Sequence, residues 1–148
     1  MTPKGVHNVV DMHNWYKKRN PNTDINYKQF NAVIGAFYKK VVEAILDGKT
    51  YNLGNRLGKI RIQRLKRSFI NPTIDWYETN KLKKETGETK FVYYTDEYYY
   101  RWYWQKKRCQ VKNKTVYSFK PTRGENGITK RLAQKLKEDE FSYLLYSG

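Results

Sequence analysis

Residues 97–108 read EYYYRWYWQKKR, with six aromatic rings and four basic side chains in twelve positions. The rings are either a stacking platform for nucleic-acid bases or the inner face of a strand. Counting by twos separates Tyr98, Tyr100, Trp102 and Trp104 from Tyr99, Arg101, Tyr103 and Gln105. Only a period of two collects the largest unbroken ring set on one face, whereas a helical period spreads rings around the whole circumference. The stretch is therefore expected to be a strand whose even face is buried in a core or an interface. Stacking platforms use a few spaced rings rather than a continuous wall.

On the N-terminal side, TIDWYETNKL places Ile74 and Trp76 on one side, and KKETGETK supplies a turn around Gly87. That predicts a hairpin pairing 74–82 with 91–94. On the C-terminal side, QVKNKTVYSFKP alternates again, with Val111, Thr115, Tyr117 and Phe119 opposed to Lys112, Lys114 and Lys120. A turn between Gly124 and Gly127 follows. Then comes an amphipathic helix in ITKRLAQKLKEDE, with Ile128, Leu132 and Leu136 at spacing four. The apolar tail FSYLLYSG is expected to dock on the body or on a neighbour.

Upstream, NYKQFNAVIGAFYKKVVEAILDG is the clearest helix. Phe30, Val33, Ile34, Phe37, Val41, Ala44 and Ile45 recur at three and four, with Asp24 or Asn26 at the start and Gly48 at the stop. A shorter helix over 12–19 is expected to be capped by Asp11 and ended by Pro21. After Gly48 the period becomes two. Ile60 and Ile62 point one way and Lys59, Arg61 and Gln63 the other, giving a half-buried strand with a basic outer face. The expected core is Phe30, Val33, Ile34, Phe37, Val41, Ile45, Ile60, Ile62 and Leu132.

The bulk composition bounds the partners. The 148 residues carry 30 Lys and Arg against 14 Asp and Glu, a net charge of +16 spread along the chain. Such a field attracts polyanions or an acidic protein surface. Mean hydropathy is −0.96, yet 16% of residues are aromatic, enough rings to build a core. With Cys109 as the one cysteine, no intrachain disulfide is expected. No Cys/His metal spacing occurs, and His7 and His13 do not share a helical face. No signal-peptide core, basic amphipathic helix or bilayer-length apolar run is read from the sequence. An intracellular protein, or one assembled inside a cell, with no membrane partner is expected. GNRLGK has two glycines and a lysine, but not at P-loop spacing, and a strand follows it rather than a helix. No nucleophile–base set or carboxylate pair stands out, so a non-enzyme without metal or cofactor is expected.

FNAVIGAFYKKVVEAILDGKTYNLGNRLGKIRIQRLKR, residues 30–67, has a helix ending at Gly48, a short strand, a glycine turn at Gly58 and a basic strand. YSFKPTRG followed by ITKRLAQKLK puts an aromatic strand before a last helix. This order resembles the bacterial histone-like HU and integration-host-factor family. YYTDEYYYRWYWQKK with NKTVYSFKPTRG is similar to the divergent members encoded by crAss-like tailed bacteriophages. The resemblance implies an α+β fold with N-terminal helices, an antiparallel sheet with an extended, elaborated β-arm, and a C-terminal helix. It implies one domain over 1–148 with an enlarged arm insertion at about 68–115. Asn71-Pro72-Thr73 resembles the arm-tip motif whose proline wedges into the minor groove, although Ile70 stands where the family has Arg.

Two roles follow from the resemblance. One is a structural virion protein, a ring of the neck or tail connector assembled in the host cytoplasm. It would contact its own copies and neighbouring portal or tail components through Tyr98, Tyr100, Trp102, Trp104, Phe141, Leu144 and Leu145. The alternative is a sequence-tolerant architectural protein that binds and bends double-stranded DNA, with Lys59, Arg61, Arg64, Lys66 and Arg67 on phosphates and Pro72 as a wedge.

Overall fold

A computed structural model of the chain describes residues 8–54 and 56–148. The fold is α+β, with four α-helices, a short 3-10 helix and one three-stranded antiparallel sheet among the described residues. It divides into two units, one ending at Ala44 and the other running Ile45–Gly148. The boundary falls inside a helix.

The first unit is a helical hairpin. Helix α1 spans Val9–Arg19 and starts three residues earlier than the sequence suggested. Its cap is Asn8. The Asp11 backbone N–H donates to Asn8 Oδ1 at 3.0 Å, and the Asn8 N–H donates to Asp11 Oδ2 at 2.9 Å. Asp11 is thus the closing member of a capping box rather than the cap. Helix α2, Tyr27–Leu46, opens with the same device between Asn26 and Gln29. The buried His13 ring sits 5.2 Å from Phe30 and 5.6 Å from Tyr27, and Tyr16 lies 5.4 Å from Phe30. Those ring contacts reach no further along α2 than Phe30. Beyond it the expected core residues Val33 and Phe37 are 66% and 49% exposed. The apolar stripe is present, with Ile34 half-buried on it.

The second unit begins with the last residues of α2, Ile45 and Leu46, both buried. Gly48 ends the helix at φ +85°, where a side chain would strain the backbone and a Cβ would sit 3.0 Å from Leu145. Strand β1, Tyr51–Asn52, pairs with the start of β2, Lys59–Lys66. β2 pairs along its whole length with β3, Tyr98–Gln105, from Lys59↔Gln105 to Lys66↔Tyr98. Beyond β1 the edge of β2 is covered by Ser147 and Gly148. The Arg64 N–H donates to the Ser147 carbonyl at 3.1 Å.

Helix α4, Ile128–Glu138, has no side-chain cap at Gly127. Thr122 takes over instead, accepting the Ile128 N–H on its hydroxyl and the Thr129 N–H on its carbonyl. The helix meets β3 on the even face, where the Trp102 indole N–H donates to the Ile128 carbonyl at 3.1 Å. The 3-10 helix Ser142–Leu145 follows. Tyr146, 3% exposed, then donates its hydroxyl to the Leu46 carbonyl at 2.6 Å and sets its ring 5.8 Å from Tyr100. Burial pushes the Tyr146 phenol up to about 12, with Asp47 and Asp139 adding to the shift.

Two expected strands are absent. The segment read as a strand over 74–82 forms helix α3, Trp76–Thr86. Asp75 caps it by accepting the Tyr77 and Glu78 N–H groups at 3.0 and 3.2 Å, and Gly87 ends it in the left-handed region at φ +75°. Of the predicted hairpin only the bridge Ile74↔Tyr93 remains. Thr79 is buried and its hydroxyl accepts the Val92 N–H at 3.0 Å, so residues 91–94 run back along the helix as a strap. The insertion between β2 and β3 is therefore a helix and a strap rather than a two-stranded arm. The second missing strand, 111–119, is a run of turns. Asn113 takes φ +53° and closes a turn with Val116, while Lys106 Nζ donates to the Lys114 and Tyr117 carbonyls at 2.9 and 2.6 Å.

Candidate interaction surfaces

The register of β2 on β3 sorts side chains between the two sheet faces, because directly paired residues share a face. The even face carries Ile60, Ile62, Arg64 and Lys66 opposite Trp104, Trp102, Tyr100 and Tyr98. The odd face carries Lys59, Arg61, Gln63 and Leu65 opposite Gln105, Tyr103, Arg101 and Tyr99.

The five cations named from sequence as phosphate contacts therefore do not share one face. Lys59 is exposed at the odd-face end. Arg61 on the same face donates to Ser147 Oγ at 3.0 Å and to the Ser147 and Gly148 carbonyls at 3.3 and 3.1 Å, so it fastens the tail to the sheet. Arg64 and Lys66 fall on the even face. The Arg64 guanidinium lies 4.9 Å over the Tyr98 ring, and Lys66 pairs with Glu97 at 3.3 Å. Arg67, just past the strand, packs its guanidinium 4.2 Å from the Tyr94 centroid and 5.3 Å from Tyr99. Pro72 is exposed in the connection from β2 to α3. A cation the sequence reading passed over, Arg101, is exposed on the odd face. It donates to Gln63 Oε1 and lies 5.4 Å over Tyr103.

The residues named as interface divide as well. Trp102 is 7% exposed and belongs to the chain's own core, held by α4. Its side chain is covered within the chain itself. Trp104 is half-buried, and its indole N–H donates to the Leu57 carbonyl at 2.7 Å. Tyr98 and Tyr100 are half-buried and line a groove of about 870 Å³ with Leu136 and Tyr143, rimmed by Asp96 and Glu97. Burial pushes the Tyr100 phenol above its ordinary value, against the opposing pull of the Arg64 guanidinium. Phe141, Leu144 and Leu145 are exposed, while Ser142 and Tyr146 of the same segment are buried. The tail thus docks on its own chain by one side and turns an apolar side outward.

Comparison with protein-family models, with curated proteins and with solved structures finds no match. Among the described residues no group of His, Cys, Asp and Glu could hold a metal ion, and no helix is long and apolar enough to cross a membrane.

Proposed function

We propose that this chain is a structural subunit of a homo-oligomeric assembly, a connector ring of a tailed-phage virion built on the HU and integration-host-factor plan. The observation that carries the oligomeric part is the imbalance of apolar burial. Among the described residues seven hydrophobic side chains are buried, and nineteen large ones, Val33, Phe37, Phe141 and Leu144 among them, are exposed. Scattered apolar residues are ordinary on a monomer, but grouping on one helix and one tail marks surfaces that partners cover. The order of two helices, a glycine-ended turn, a basic strand, an insertion and a last helix agrees with the family plan, and the phage assignment rests on the likeness of YYTDEYYYRWYWQKK and NKTVYSFKPTRG.

Light scattering on the purified chain tests the proposal. A closed oligomer is expected, and Val33→Glu is expected to reduce it to smaller species while the monomer still melts cooperatively. A wild-type chain that stays monomeric at high micromolar concentration would overturn it. A second reading, sequence-tolerant binding of double-stranded DNA, is favoured by the odd sheet face, where Lys59, Arg61 and Arg101 stand without a carboxylate among the paired residues. It predicts a mobility shift that persists at physiological salt and weakens steeply as salt rises.

A further inference from the structure

The loop joining β1 to β2 and the turn after β3 enclose a concavity of about 710 Å³ whose charged lining residues are Arg56, Lys59, Lys107 and Arg108. No carboxylate lines it among the described residues. Among the described residues, Lys59, Lys107 and Arg108 make no side-chain hydrogen bond or ion pair. Like charges held around one hollow repel, and a low-dielectric cleft of one sign focuses its field outward onto counter-ions.

The backbone is shaped to make this hollow. Gly58 takes φ +91°, and a Cβ there would fall 2.4 Å from the Gln105 carbonyl oxygen, so the loop rests directly on the end of β3. Gly54 takes φ +71°, with its N–H donating to Asn52 Oδ1 at 3.1 Å. Arg56 is left-handed at φ +57°, a conformation that costs a residue with a side chain and persists only where its surroundings enforce it. What enforces it is Gln110, whose N–H donates to the Arg56 carbonyl at 3.0 Å and whose side-chain oxygen accepts from Arg56 Nη1. The Arg56 guanidinium is thereby fixed at the rim with donors to spare. The Cys109 N–H donates to the Lys106 carbonyl at 2.9 Å and, with Cys109 buried, anchors the turn that carries Lys107 and Arg108.

We infer that this concavity is a binding site for closely spaced phosphate groups. Two arginines can bind phosphate oxygens through paired N–H donors, and two lysines add mobile point charges. Four cations against one hollow match a ligand with several negative charges rather than a single anion. That ligand is a nucleic-acid backbone or a free polyphosphate. The site does not depend on the assembly proposed above and is tested separately from it.

The probes are inorganic tripolyphosphate and a short DNA duplex, titrated into the full chain at 150 mM salt with intrinsic tryptophan fluorescence and calorimetry as readouts. Of the four tryptophans, Trp104 lies beside the site, its indole N–H bonded to the Leu57 carbonyl. Saturable tripolyphosphate binding is expected. Lys107→Glu with Arg108→Glu should weaken it at least tenfold, and Lys107→Gln with Arg108→Gln, which adds no repulsive charge, at least threefold. The control pair Lys83→Glu with Lys84→Glu on α3 makes the same change in net charge and should change it less than twofold. If duplex DNA displaces tripolyphosphate, the source is a nucleic-acid backbone. If tripolyphosphate binds and duplex does not compete, it is a free polyphosphate. No saturable binding, or equal losses in the pocket and α3 pairs, would overturn the site.

Discussion

The sixteen residues of the β2–β3 pair divide eight to each sheet face, and the fates of the faces differ. The even face buries Ile62 and Trp102, Trp102 bonded to the start of α4, and half-buries Tyr100 beside Tyr146. On the odd face Arg61, Gln63 and Arg101 alternate with Tyr99 and Tyr103, Arg101 is exposed, and Arg61 holds the Ser147–Gly148 tail. Of the even-face rings Trp102 alone is buried, while Tyr98, Tyr100 and Trp104 are half-buried, as are Tyr99 and Tyr103 on the odd face. The difference between the faces therefore lies at Ile62 and Trp102, against the exposed Lys59 and Arg101.

The strongest way to break this contrast is at its buried side. Trp102→Ala should cost roughly 3–5 kcal/mol, since it empties a core position and leaves the Ile128 carbonyl without its donor. The loss is expected as a lower midpoint in denaturant melts. A variant that melts like the parent would mean that α4 does not close the even face.

Alkaline pH tests the same side through Tyr146. Its phenol is held up to about 12 in the fold, mainly by burial, against about 10 in an unfolded chain. The folded state therefore holds the proton more tightly. The resulting stability, on the order of 2–3 kcal/mol, is fully present below pH 10 and is lost as pH rises towards 12. Tyr146→Phe should be less stable at neutral pH, because the Leu46 carbonyl loses its donor, and should lose less stability than the parent between pH 10 and 12. Parallel pH curves for the two proteins would sink the assignment.

Gly58→Ala tests the turn that ends both faces. Forcing a side chain into φ +91° costs about 1–3 kcal/mol, to which the 2.4 Å approach to the Gln105 carbonyl adds. Thermal melts read the loss. Gly54→Ala also strains the backbone but has open space around its Cβ, so it should cost less. Equal melts for the two would deny the close approach.

Strand β3 and helix α4 were legible because their patterns are long and Trp102 and Leu132 are buried within the chain. Helix α2 was legible as a helix, and Ile45 of its expected core is buried, while Val33 and Phe37 are exposed. Helix α3 was missed because Ile74 and Trp76 offered only one repeat of a two-residue period. The stronger signal lay in Asp75, Glu78 and Gly87, a cap, an acidic first turn and a left-handed stop. The strand expected over 111–119 failed at Asn113, whose left-handed turn no alternation count detects. The cationic hollow was half visible. The glycines of GNRLGK read as a turn that is not a P-loop, and the close approach of Gly58 to Gln105 follows only from the register Lys59↔Gln105. Nothing local to residues 147–148 indicated that they would line the edge of β2.

Arg61 and Tyr103, directly opposite each other on the odd face, carry the smallest expected effects. Arg61→Ala removes donors to Ser147 and Gly148 and should cost about 1–2 kcal/mol, seen as faster proteolysis of the tail. The Arg64 backbone bond to Ser147 survives, so the tail should loosen rather than detach. Tyr103→Ala should cost less than about 1 kcal/mol in the isolated subunit, because its ring is half-buried and its described ring contact is the exposed Arg101. If Tyr103→Ala melts as low as Trp102→Ala, both sheet faces are core and the contrast between them fails. If instead the subunit melts normally and the oligomer dissociates, the odd face is surface in the monomer and buried in the assembly. A phosphate ligand in the adjoining hollow would then lie next to that interface. Melting and light scattering on the one variant distinguish these outcomes.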